Sequence, residues 1–222
     1  MQYNIVVSQA YLEMARSYVD ALAHSTTADP AAPPKGRSQQ WATTTFAFAS
    51  LTTVCSYMAV EAFTNHELYE IWHLSRLSRD QAEQMKRDNV SIIPTYDRFY
   101  KEYGHVDEFV KLKDHGLSDL KDRMKTVWEA EEIPPMHEKN KVLWDQFLDL
   151  VERARHFLIH PFPDQMLVQK ISERLFWTEP YVKHPQLASD VIGYSFKEAG
   201  RPLPEYLSRN RLFKISGIEI LF

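Results

Sequence analysis

Apolar positions along this chain recur mainly at helical spacing, and the chain is organised around the stretch Leu148 to Pro163, LDLVERARHFLIHPFP, where the helical pattern runs up to a proline stop. On a helix, Trp144, Leu148, Val151 and Leu158 share one stripe, and Leu143, Phe147, Leu150, Ala154 and Phe157 the neighbouring one, so a wide face is buried. Pro161 disfavours the α conformation at His160, and Pro163 follows. The pattern therefore predicts a helix from near Glu138 to His160, with His160 at an exposed terminus where the helix dipole favours positive charge. Arg155 lies at the edge of the buried face, either snorkelling out or held by a partner, because an unpaired buried guanidinium costs several kcal/mol.

In chain order, Ser8 to His24 reads as an amphipathic helix with Ala10, Tyr11, Met14, Tyr18, Ala21 and Leu22 on one face and Ser8 as its N-cap. The segment STTADPAAPPKGRS interrupts it. A long second helix is predicted from about Gln40 to Ser75, uncharged at first and then amphipathic through Glu61, Asn65, Leu68 and Trp72. SRDQAEQMKRD reads as a separate short helix capped by Ser78, and PTYDRFYKEYG as another ended by Gly104. Further helices follow over Ser118 to Glu132, Asp164 to Trp177 and Gln186 to Ala199. The tail, RLFKISGIEILF, has β-rich composition and suits a hairpin, a swapped strand or a docking peptide.

The expected fold is an all-α helical bundle, its second helix antiparallel to the helix of the LDLVERARHFLIHPFP stretch. It forms a single helical domain over 1–205, in which 78–135 is a helical insertion, followed by a tail at 206–222. Charged residues make up 25% and hydrophobic ones 44%, as in ordinary soluble proteins. With 6 glycines and no GxGxxG or GxxxxGK[ST], a glycine-rich phosphate cradle is not expected. A net charge of −4 gives no global basic field, so any nucleic-acid contact must be local. The lone Cys55 lies in an apolar run and reads as a buried structural thiol, which fits a reducing cytoplasm. The N-terminus has no signal-peptide pattern. The uncharged run from Ser38 to Val60 has the length of a membrane span, but its Thr and Ser content and its continuation into Glu61 and Glu67 place it inside a soluble bundle. The five tryptophans are spaced as core residues, and Lys111, Lys113, Lys121, Arg123 and Lys125 read as a solvated basic face.

Three polar groupings carry candidate chemistry. Arg155 and His160, five apart, can converge on a cleft beside their helix, the histidine moving a proton while the arginine holds charge on a phosphate. The alternative is a surface arginine and a terminal histidine that complements the dipole. Glu152, His156 and His160 share one face at metal-ligand spacing, or Glu152 and His156 form a simple i,i+4 pair; no metal and no cofactor is expected. Glu61 and Asn65 interrupt an apolar helix on one face and either line a site near Arg155 or mark a solvated end.

The Arg155-His156-xxx-His160 sequence at the end of a long helix resembles the RxxxxH motif of HEPN domains, and SYMAVEAFTNHELYEIW resembles their second helix. The resemblance spans roughly Ala42 to Phe176, with the segment from Ser78 to Pro135 as an insertion. It implies a HEPN-like helical bundle forming a two-fold homodimer with a shared cleft, acting as a metal-independent endoribonuclease. His160 would transfer the proton, Arg155 would stabilise the phosphate charge, His156 would support them, and Glu61 and Asn65 would orient the pair. The implied partners are RNA, a second copy of the chain and a neutralising antitoxin, with no membrane, in a toxin-antitoxin or phage-defence setting. Other HEPN-like domains are inactive, so a non-catalytic dimer acting as a protein-interaction or nucleotide-binding module is the alternative.

Overall fold

A computed structural model describes residues 3–25, 39–87, 95–149 and 181–208, and in the tail 212–215 and 218–221. The elements are α1 (Tyr3–Ser25), α2 (Gln39–Arg87), α3 (Asp97–Tyr103), a 3-10 helix (Phe109–His115), α4 (Leu120–Ala130), α5 (Met136–Lys139) and α6 (Lys141–Phe147). A second 3-10 turn (Tyr181–Lys183), α7 (His184–Glu198) and α8 (Glu205–Ser208) follow, and β1 (Leu212–Ile215) pairs antiparallel with β2 (Ile218–Leu221). The architecture is all-α, and the tail backbone forms a two-stranded hairpin, one of the three forms its composition suits.

The organising element is α2, 49 residues long and so about 73 Å from end to end at ~1.5 Å per residue. One row of its buried positions steps by three or four: Thr53, Ser56, Val60, Thr64, Leu68, Ile71 and Ser75. The hydroxyls in this row are satisfied in the interior because they donate back along the helix, Thr53 to Ala49 O, Ser56 to Thr52 O and Thr64 to Val60 O, at 2.7 to 2.9 Å. By length and composition α2 could cross a membrane, but half of its apolar window is buried inside the fold. It continues twelve residues past the predicted end at Ser75. Ser78 is not a helix cap: its hydroxyl donates to Ser75 O and Thr95 O within the continuous helix. No proline or glycine lies between Ser75 and Arg87, and the change from apolar to charged residues reports emergence into solvent rather than a break.

Helix α1 packs along α2, but on a different face from the one predicted. Leu12, Ala15 and Val19 are buried, whereas Met14 is 43% exposed and Ala10 and Ala21 also face solvent. Two polar residues complete the inner face. Ser8 lies inside the helix and is no N-cap; its hydroxyl donates to Ala59 O of α2 at 2.8 Å. Arg16 is 5% exposed and donates to Tyr206 O at 2.8 Å and Ser189 Oγ at 3.1 Å, joining α1 to α7 and α8.

Two buried clusters hang on α2. The larger contains Leu12, Val60, Phe63, Met124, Trp128, Trp144, Phe147 and Ile192; the other, further along the helix, contains Leu68, Ile71, Phe99, Val106, Leu112 and Leu117. Residues from 78–135 therefore contribute to both. Trp128 Nε1 donates to Ser195 Oγ at 3.1 Å and Tyr194 Oη to Pro134 O at 2.7 Å, which ties α4 and its proline turn to α7. Trp128 and Trp144 are core residues as expected, and Cys55 is buried, which pushes its thiol pKa up. The predicted antiparallel packing of α2 with the helix ending at His160 lies outside the described residues beyond Asp149.

Candidate functional site

Of the residues singled out in the sequence, Arg155, His156 and His160 lie outside the described residues, as does Glu152. Glu61 and Asn65 are described, in the middle of α2, and both are held by one cation. Arg123 of α4 donates from one terminal nitrogen to Asn65 Oδ1 at 2.7 Å and from the other to Glu61 Oε1 at 2.9 Å. The side chains of Arg123 and Glu61 are only 16% and 19% exposed. Arg123 Nε is buried and has no hydrogen-bond partner among the described residues. The pair is thus one side of a forked, charge-assisted clamp rather than a solvated helix end.

Local sequence explains why Arg123 points there. Asp119 caps α4 by accepting from Lys121 N at 3.2 Å, which fixes where the helix starts. Leu120, Met124, Val127 and Trp128 then form its buried arc, with Arg123 at the arc's edge beside α2. Lys125 lies on the far side and is exposed, as are Lys111 and Lys113. Arg123 therefore departs from the solvated basic face that the lysines around it form. The available signal was its position between Leu120, Met124 and Val127 on a helix whose start Asp119 defines.

Further along α2 a second ion pair bounds the region. Arg201, just after α7, donates to Glu67 at 2.8 Å while its guanidinium lies 4.8 Å over the Phe196 ring. Nearby, the Tyr96 hydroxyl donates to Glu131, and burial together with that carboxylate pushes the phenol pKa up. Toward the start of α2, Thr53 Oγ1 and His184 Nδ1 are 2.8 Å apart, with the histidine fully buried and its Nε2 unpartnered among the described residues. Burial lowers the His184 pKa from 6.5 to about 4, so the ring is neutral near pH 7.

Fixed by the Arg123 guanidinium at 2.9 Å, Glu61 is placed to hold and orient its neighbours. The clamp is built for rigidity. Among the described residues there is no group of three or more His, Cys, Asp or Glu side chains that could hold a metal. Comparisons with protein-family models, curated proteins and solved structures find no match to this chain.

Proposed function

We propose that the chain is a HEPN-like endoribonuclease that cleaves RNA without a metal. In this reading the RNA 2′-hydroxyl loses its proton and attacks the adjacent phosphorus, an O2′–P bond forms, and the P–O5′ bond breaks. His160 takes the 2′-hydroxyl proton and returns one to the departing O5′, Arg155 carries the charge developing on the phosphate, and His156 supports both. A 2′-hydroxyl beside a phosphodiester needs only acid-base help and an anion clamp. The observation that supports the reading is the Glu61-Asn65 pair, a polar notch within an apolar helix, held rigid by Arg123 at 2.7 and 2.9 Å. Glu61, Asn65 and Arg123 act as positioning residues. The active unit is a homodimer in the cytoplasm, restrained by an antitoxin in a toxin-antitoxin or phage-defence setting.

A second reading has one observation in its favour: Arg123 already engages both Glu61 and Asn65, as a purely structural bridge would. That reading is a non-catalytic helical dimer acting as a protein-interaction or nucleotide-binding module. The two are separated by RNA cleavage in EDTA, comparing the natural chain with Arg155→Ala and His160→Ala at equal oligomeric state. The nuclease reading expects a loss of roughly 100-fold or more in each variant. Equal cleavage by all three, or none by the natural chain, would sink it in favour of the binding module.

A further inference from the structure

Two exposed histidines face each other on the outer part of the molecule, and the backbone beneath both is unusually well fixed. His105 follows Gly104, the C-cap of α3. Its segment is gripped from α2: Arg76 donates to Gly104 O at 3.0 Å and to Val106 O, and Trp72 Nε1 donates to Val106 O at 3.3 Å. Val106 itself is buried in the outer cluster. His115 is the last residue of the 3-10 helix, where Gly116 adopts a φ of 93° that side chains rarely tolerate. Gly116 N and Leu117 N both bond back to Leu112 O, and Leu112 and Leu117 are buried in the same cluster.

Above these anchors, the imidazoles of His105 and His115 have centroids 4.9 Å apart and planes crossing at 82°. Both residues are exposed, and neither ring makes a hydrogen bond or ion pair among the described residues. A metal–nitrogen bond of about 2.0–2.1 Å puts an imidazole centroid roughly 3.2 Å from the metal, so two ligands at about 90–109° have centroids about 4.5–5.2 Å apart. The observed separation falls within that interval.

We propose that His105 and His115 form a two-histidine site for a borderline transition-metal dication of the Zn2+ or Cu2+ class. Small rotations of the two exposed rings bring one nitrogen of each to a shared ion without disturbing the anchored backbone. The other coordination positions go to water, because no third His, Cys, Asp or Glu joins the pair among the described residues. The site is therefore open and exchangeable. Its ion ties the end of α3 to the end of the 3-10 helix and braces the cluster of Phe99, Val106, Leu112 and Leu117. None of this rests on the RNA reading.

The test titrates Zn2+ into the chelator-treated full chain by calorimetry and records Cu2+ electron paramagnetic resonance on the same protein. His105→Ala, His115→Ala and the double variant are compared with His73→Ala, a control at another exposed ring, which stacks on Tyr69. We expect one zinc equivalent that weakens roughly tenfold or more in each single variant and disappears in the double variant, with His73→Ala unchanged. The copper spectrum should show two imidazole nitrogens in the natural chain and one in either single variant. Equal zinc binding by the natural chain and the double variant, or a natural-chain copper spectrum with fewer than two nitrogens, overturns the assignment. The second result stands without any variant.

Discussion

The clamp at Arg123 can be tested through the stability it confers. In Arg123→Met the alkyl stem still covers α2, but Glu61 and Asn65 lose a cation that donates to both at 2.7 and 2.9 Å. Fully exposed pairs are worth about 0.2–1 kcal/mol, and breaking a fully buried one costs about 3–5 kcal/mol. Side-chain exposures of 16% and 19% put this pair closer to the buried case, so the expected loss is about 2–3 kcal/mol. For a chain of this size that lowers the melting temperature by roughly 4–12 °C. Much of the loss comes from stranding Glu61, a carboxylate left largely covered with no cation beside it.

A double-mutant cycle isolates that contribution. Glu61→Met alone strands the guanidinium, Arg123→Met alone strands the carboxylate, and the double variant strands neither. The double variant should therefore lose less than the sum of the two singles by about 2 kcal/mol. Urea unfolding followed by circular dichroism, at one protein concentration throughout, provides the measurement. Additivity within about 0.5 kcal/mol would refute the clamp, as would a melting temperature in Arg123→Met within a degree of the natural chain.

Two further expectations come from buried polar groups. His184 is held neutral by burial, with its folded pKa lowered from 6.5 to about 4, so the unfolded chain binds the extra proton first. Its contribution is intact above pH 6.5 and is lost as pH falls toward 4, about 3 kcal/mol across that window; urea midpoints should show this fall, and His184→Asn should flatten it. Arg16→Met should cost about 3 kcal/mol, because it leaves Tyr206 O and Ser189 Oγ in the interior without their donor; a thermal melt unchanged from the natural chain would contradict the bridge.

What sequence reading recovered and what it missed follow from the range of the signals used. A stop written in local chemistry was legible: Gly104 ends α3. The burial of Trp128, Trp144 and Phe147 followed from helical spacing. The face of α1 was misjudged because apolar residues run most of the way round it. Periodicity cannot choose between the Met14 and Leu12 sides when the buried side also holds Ser8 and Arg16. Ser8 looked like a cap because serine is commonly one, but its bond to Ala59 O spans 51 residues, and no local rule contains that partner.

The same limit explains the clamp, and it says something about how the bundle is specified. Periodicity relates positions a turn or two apart, whereas Arg123 reaches Glu61 across 62 residues and Arg16 reaches Tyr206 across 190. Along α2, Thr53 meets α7 through His184, Glu61 and Asn65 meet α4 through Arg123, and Glu67 meets Arg201 after α7. Each of these four positions on α2 meets one other part of the chain at one height. Apolar burial drives the elements onto α2 but tolerates sliding by a turn. A stranded Glu61 or His184 does not, since each displaced register would leave a buried polar group unpaired. The polar interruptions that looked like a site in the sequence therefore also fix the order and register in which the shorter helices dock.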